Sequence, residues 1–283
     1  MRNTSLSVIT IGKFDGFHTG HRLLLEKLQI LTQKGEPGIV LMIRSGGERL
    51  LTHEEEMTVL AEYGAPQPVI LPFDEELMRM TPEEFVRSYI QEKFHGSHII
   101  VGSDFRFGYQ RSGDVNTLRK LGAERGFQVT AVDKLFREGE VVSSSRIRKL
   151  YAEGNVKKAS LLLGSDIRYA GIVKHGKELG RKLGFPTINL YPPEEKLLPR
   201  FGVYRTEVKM DEDVVYSGLT NIGLRPTVND GEKVTIESHL ISYSGNAYGK
   251  RAEVKLLDFI RPEMHFGSIA ELQEQMKNDL KSL

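Results

Sequence analysis

Apolar and polar positions change period along the chain, and the change divides it in two. In the first half, apolar runs at 6–11, 38–43, 69–71, 99–101 and 129–132 alternate with segments at 20–33, 53–63, 82–94 and 115–125. In those segments apolar residues recur about every 3.6 positions. Short, continuous apolar runs suit strands covered on both faces, since neither side alternates with water. Strand and helix in alternation predict a Rossmann-like α/β domain built on a parallel sheet.

From about residue 165 the period falls toward two. β-rich segments at 168–175, 202–208, 214–221, 234–242 and 252–258 are broken by Gly, Pro, Asn and Asp, and one helical pattern follows at 268–281. Strands this short and this close predict a small β-barrel with a terminal helix. The stretch 145–164 is helical, with a turn at Gly154-Asn155 and an apolar anchor at 161–163. The expected domains are therefore 1–164 and 165–283, and a chain of 283 residues is long enough for two cores.

Composition narrows the chemistry. Lys and Arg number 39 against 38 Asp and Glu, interspersed, which argues against a partner held by bulk electrostatics such as nucleic acid or a membrane surface. With no cysteine, disulfides and thiolate metal sites are excluded, and a metal would need oxygen or imidazole ligands. Neither a signal-peptide run at 1–11 nor a stretch of roughly 20 apolar residues is present, so a cytoplasmic protein is expected, a monomer or weak homo-oligomer.

The run at 6–11 leads directly into Gly12-Lys13-Phe14-Asp15-Gly16-Phe17-His18-Thr19-Gly20-His21, and a helical pattern follows. A glycine-bearing loop between strand and helix turns free N–H groups and the positive end of the helix dipole toward an anion. His18 and His21 bracket Gly20, so a phosphate could approach the backbone with donors on either side. The alternative is that both histidines only cap a helix. A second cluster, Val142-Ser143-Ser144-Ser145-Arg146-Ile147-Arg148, opens another helical pattern; its hydroxyls and guanidinia suit phosphate oxygens, or its serines serve as a plain N-cap. Between them, residues 101–114 follow an apolar run, where open α/β sheets bind ligands, or form a Gly-rich turn with packed aromatics.

The densest motif is at 171–190. Gly171, Gly176, Gly180 and Gly184 permit close backbone approach, and Lys174, Lys177, Arg181 and Lys182 supply positive charge, although a Gly- and Lys-rich turn is also common on barrels. Thr187 and Asn189 flank Ile188, so on an extended segment their oxygens share one side and can help place Mg²⁺, which needs few protein ligands.

In this order, GxFDGxHxGH, VGxDFxFGxxRxGD and SSSRIR resemble the FMN adenylyltransferase module of bacterial bifunctional riboflavin kinase/FAD synthetases. The segment ending Gly184-Phe185-Pro186-Thr187-Ile188-Asn189 resembles the signature of riboflavin kinases, and Gly202-Val203-Tyr204, residues 220–227 and Tyr248-Gly249-Lys250 match further motifs of that family. The resemblance implies riboflavin, FMN and ATP as substrates and magnesium as cofactor. It implies ATP contacts at Gly12, Phe14, Gly20, Ser143, Ser144, Ser145, Gly171, Lys174, Gly176, Gly180 and Pro186, with His18, His21 and Arg148 at the transferring phosphate. It also implies flavin contacts at Asp104, Arg261, Met264 and Phe266, although packing of the terminal helix explains Met264 and Phe266 equally well.

Glu237 occupies the position of the family's acidic residue, and a carboxylate is the expected base for phosphorylating an alcohol; otherwise it is a solvated strand residue. The chain departs from the family pattern at Lys13, at 41–49 and at Ser242-Tyr243. Two further readings therefore stand beside the bifunctional one: a kinase with a degenerate first domain, and a flavin- or nucleotide-binding regulator without turnover.

Overall fold

A computed structural model describes residues 6–33, 35–176, 184–210, 214–227 and 231–281. The chain falls into two compact units, Met1–Ser144 and Ser145–Leu283.

The first unit runs β1 (Ser7–Gly12), α1 (Thr19–Thr32), β2 (Gly38–Arg44), α2 (His53–Glu62), β3 (Val69–Pro72), α3 (Glu75–Arg79), α4 (Pro82–Phe85), β4 (Gly96–Gly102), the ribbon β5 (Arg106–Phe107) and β6 (Gly113–Asp114), α5 (Val115–Arg125), β7 (Gln128–Val132) and the ribbon β8 (Phe136–Arg137) and β9 (Glu140–Val141). The five long strands are parallel in the order β3-β2-β1-β4-β7. Residues 7–11 of β1 are buried, as a central strand with helices on both faces requires. Ile9, Ile11, Leu41, Ile99 and Val101 form the sheet's part of a core completed by Phe85, Ile90, Leu118 and Phe127.

The order reverses direction between β1 and β4, which opens a crevice at the carboxyl ends of those strands. The helix expected over 82–94 starts at Thr81, whose hydroxyl and Glu84 form a capping box, but continues from Val86 to Lys93 in wider π-helical turns. Helix α3 and the two ribbons had no periodic signal, because elements of two to five residues are too short to carry one.

The second unit begins at Ser145, one residue into α6 (Ser144–Glu153), and takes in α7 (Val156–Leu163), so the linking helices fall with the later strands. A Cβ at Gly154, where φ is +80°, would lie 3.0 Å from the Phe259 ring, and the Arg200 N–H donates to the Tyr151 carbonyl at 2.8 Å. Strands β10 (Arg168–Ile172), β11 (Thr187–Leu190), β12 (Gly202–Met210), β13 (Val215–Thr227), β14 (Gly231–Leu240) and β15 (Arg251–Arg261) form one antiparallel sheet, ordered β10-β15-β12-β13-β14-β11. Its edges meet where the Lys174 N–H donates to the Asn189 carbonyl at 3.0 Å, which curls the sheet toward a barrel.

Tyr204, Val208, Ile222, Ile236, Val254 and Leu256 fill the interior together with a buried chain of hydroxyls, Thr206 to Thr220 at 2.9 Å and Thr220 to Ser238 at 2.7 Å. Alternation then puts the odd-numbered residues of β11 to β14 on the outer face. Helix α8 (Ile269–Leu280), capped by Ser268, ends the fold.

Candidate active sites

At the end of β1 the loop turns sharply. Phe14 and Phe17 adopt φ of +48° and +41°, and Gly16 +86°, in a region that costs energy for any residue with a Cβ. Burial holds them there: both phenylalanines are fully enclosed, and their rings stack at 5.3 Å. A Cβ on Gly12 would already press on the Phe14 ring at 3.2 Å. Asp15 ties the loop outward, its Oδ1 accepting from the Leu50 N–H at 3.2 Å and its carbonyl accepting from the Ser144 hydroxyl at 2.8 Å.

His18 does cap α1: its Nδ1 accepts from the His21 N–H at 3.2 Å. The two imidazoles stack at 3.6 Å over Gly20, where a Cβ would lie 3.2 Å from the His18 ring. Burial pushes His18 down to about 4, and burial with the neighbouring His18 pushes His21 well below its ordinary range. Both rings are thus neutral near pH 7, and Nδ1 of His21 is enclosed with no hydrogen-bond partner among the described residues. Capping and anion binding are compatible here, because the cap uses only one nitrogen of His18.

Asp104 lies two residues beyond β4, on the far side of the strand reversal from the histidine loop. It is exposed and pairs with Lys134 at 3.0 Å. Residues 44–49 lead from β2 into a charge cluster: Glu56, only 1 % exposed, meets Arg44 at 2.5 Å, Arg49 at 3.8 Å and His53 at 3.9 Å. Burial raises the Glu56 carboxyl against the opposing pull of these cations. Ser143 and Ser144 belong to the first unit, whereas Ser145 and Arg148 fall in the second, on α6.

In the second unit, strand register builds a row no local pattern contains. Glu237 on β14 faces Asn189 on β11 and Asn221 on β13; Asn221 faces Val203 on β12, and Val203 faces Arg261 on β15. Above this row is a cavity of about 300 Å³, walled by Thr187, Glu237, Asn221, Arg261, Glu263, Met264 and Phe266 and roofed by Leu272, Met276 and Leu280 of α8.

Expected residues Thr187, Glu237, Arg261, Met264 and Phe266 therefore come together. Arg261 lines the cavity, but its charge is committed: Nε and Nη2 donate to Asp279 at 2.9 and 2.8 Å, fastening α8 to the barrel. Sequence reasoning missed Phe185, Asn221, His239, Glu263 and Asp279. His239 donates from Nδ1 to the Pro186 carbonyl at 2.9 Å and meets the Phe185 ring edge-on at 5.5 Å, bracing the Phe-Pro-Thr turn.

A second cavity, of about 620 Å³, adjoins the first and shares Thr187 with it; Pro186, Asn189, Tyr243, Asn246 and Tyr248 line it. Asn189 is 4 % exposed, and Gly176 passes so close that a Cβ there would lie 2.6 Å from its amide. Gly171 is the penultimate residue of β10, three positions before Lys174, whose Nζ lies 5.5 Å from the Tyr191 ring centroid. His175 stacks on Tyr248 at 3.7 Å, and the Gly249 N–H donates to the Val173 carbonyl, so the Gly171–Gly176 and Tyr248–Lys250 motifs form one corner. Gly180, with Lys177, Arg181 and Lys182, lies outside the described residues. Among the described residues no cluster of three or more His, Asp and Glu suggests a protein-only metal cage.

Comparison with known proteins bears on both units. Residues 1–146 match the family model described as FAD synthetase, and residues 163–283 match that described as riboflavin kinase. The bifunctional riboflavin kinase/FMN adenylyltransferase of Escherichia coli K12 is 35% identical over 96% of this chain and 90% of its own length. That of Listeria monocytogenes is 31% identical over 96% and 90%.

A crystal structure described as a macrolide-efflux protein from Streptococcus pneumoniae superposes with a TM-score of 0.86 at 28% identity, covering 98% of this chain and 93% of its own. Among the described residues here no helix is long and apolar enough to cross a membrane. Both family matches and the near full-length relatives agree: this chain belongs to the family of bifunctional riboflavin kinase/FMN adenylyltransferases.

Proposed function

We propose that this chain makes flavin cofactors in two ATP-dependent steps, phosphorylating riboflavin to FMN and then adenylylating FMN to FAD. The observation that carries the first step is the shared wall at Thr187, with Glu237 in the cavity on one side and Asn189 in the cavity on the other. An acceptor in the smaller cavity and a nucleotide in the larger would meet at that wall. Glu237 takes the proton from the ribityl 5′-hydroxyl, the oxygen attacks the γ-phosphorus, and ADP leaves.

The donor set fits magnesium: Thr187 offers a hydroxyl and Asn189 an amide that packs against Gly176, and a hard cation that keeps its waters needs few more protein ligands. Bound Mg²⁺ supplies neutralisation of charge on the β- and γ-phosphates. The corner of Gly171, Lys174 and Gly176 offers backbone and charge to the same phosphates. Met264 and Phe266 cover the flavin ring.

For the second step, a phosphate oxygen of FMN attacks the α-phosphorus of ATP and pyrophosphate leaves. Neutral His18 and His21 each offer an N–H, and the α1 amino end adds its dipole. Ser143 and Ser144 add phosphate contacts, with Asp104 on the flavin side. The assignment follows the expected domains, 1–164 for adenylyl transfer and 165–283 for phosphorylation. A cytoplasmic monomer or weak homo-oligomer, without nucleic-acid or membrane partner, completes the proposal.

The test is to incubate purified protein with riboflavin, ATP and Mg²⁺ and to separate riboflavin, FMN and FAD by chromatography. Both products are expected. FMN without FAD, also when FMN is the supplied substrate, refutes the second step, and no phosphorylation refutes the first. His21→Ala should abolish FAD formation and leave FMN formation intact; an equal loss of both contradicts independent sites.

A further inference from the structure

Glu263 lies in the segment between β15 and α8 that also carries Met264 and Phe266, and its carboxylate has a built seat. Oε1 accepts from Nδ2 of Asn221 at 3.2 Å. Beneath it lies Gly223: a Cβ there would overlap the Glu263 carboxylate, so the exposed side chain would have to leave its present position. Asn221 and Gly223 are two apart on β13 and so share its outer face, and Asn221 is the cross-strand partner of Glu237. Gly223 has no positive φ, so backbone conformation gives no reason for a glycine in this strand; the space above it does.

We propose that Glu263 is a positioning residue for riboflavin phosphorylation. Seated on Gly223, it fixes the Asn221 amide beside the base Glu237 and pins the segment bearing Met264 and Phe266 across the acceptor cavity. The neighbouring anchors hold other parts of that segment: Arg261 donates from Nη1 to the Pro262 carbonyl at 3.0 Å, and its guanidinium lies 5.9 Å from the Phe266 ring centroid. Glu263 is the contact that ties the segment to the strand next to the base. Because Glu263 acts through Asn221 and the segment and transfers no proton, its amide isostere should serve nearly as well: the Gln carbonyl accepts from Asn221 just as the carboxylate does.

The proposal rests on the kinase reading, and the experiment separates the two. Riboflavin affinity is read from quenching of its fluorescence on binding, and kcat and KM from FMN formation, with FAD formation from supplied FMN as an internal control. Wild-type protein that makes no FMN defeats the kinase reading itself. Given an active wild type, Glu263→Ala is expected to raise the riboflavin KM and Kd about tenfold, the loss expected for one hydrogen bond. ATP KM and FAD formation from FMN should stay within about twofold.

Glu263→Gln is expected to restore most of the affinity. Gly223→Ala evicts the carboxylate and should match Glu263→Ala, and the double variant should be no worse than either, since both break one interaction. Unchanged riboflavin affinity in Glu263→Ala, a Gln variant as impaired as the Ala variant, or additive losses in the double variant would each overturn the proposal.

Discussion

Glu237 stands directly opposite Asn189 in the antiparallel pairing of β14 with β11. Directly opposed side chains in such a ladder have Cβ atoms about 5 Å apart, so the proposed base and the proposed metal ligand are neighbours although 48 positions separate them in the chain. Glu237→Gln keeps size and hydrogen bonding but cannot take the 5′-hydroxyl proton. FMN formation should fall by about 10²-fold or more, as for loss of a general base. Binding of ATP, followed by calorimetry, should be unchanged; turnover near the wild-type level removes Glu237 from the role.

Gly176 tests the other side of that pair. A Cβ there would come within 2.6 Å of the Asn189 amide, which is 4 % exposed and cannot swing away. No positive φ is involved, so Gly176→Ala strains contacts and leaves the local backbone conformation permitted. Displacing the amide oxygen should raise the Mg²⁺ concentration needed for half-maximal FMN formation by about tenfold, about 1.4 kcal/mol. FAD formation from supplied FMN should be spared. Equal Mg²⁺ requirements in variant and wild type would remove Asn189 from the metal site.

The sequence revealed local chemistry and hid what pairing creates. Strand, glycine loop and helix are consecutive around His18 and His21, so both the motif and its position at the end of β1 were legible. Thr187 and Asn189 were legible for the same reason, as alternation over three residues is a local fact. Asn221, His239, Glu263 and Asp279 enter the cavity through register, the curl of the sheet and the docking of α8, none of which is written in neighbouring residues. The available signals were the family motif over 220–227, which contains Asn221, and within it the glycine at 223 inside a β-rich run.

Arg261 and Asp279 are side chains 15 % and 5 % exposed, and Gln275 donates a further hydrogen bond to Asp279 at 2.8 Å. Removing one member of an enclosed pair leaves the other charge without its counterion, which costs more than the pair contributes. Asp279→Ala should destabilise the second unit by about 3 kcal/mol, read from denaturant unfolding, and weaken riboflavin binding because α8 roofs the cavity. Replacing both residues, as Arg261→Met with Asp279→Leu, should recover much of the stability and, with α8 docked again, part of the riboflavin affinity. Stability regained with no gain in affinity would mean that Arg261 itself, and not the roof, holds the flavin.

His18 makes the stability of the first unit depend on pH. Burial lowers it from 6.5 to about 4, so the unfolded chain binds a proton that the folded one refuses between those values. By linkage, stability is whole above about pH 6.5 and is lost as the pH falls through that window toward 4, where the loss levels off. At pH 5 His18 alone should cost on the order of 2 kcal/mol. His21, lowered in the same direction by burial and by His18, adds to the slope. His18→Gln can still accept at the α1 cap but cannot be protonated, so its unfolding free energy should fall less between pH 7 and pH 5 than that of the wild type. Parallel pH profiles for the two proteins would show that His18 is charged, or accessible to protons, in the folded state.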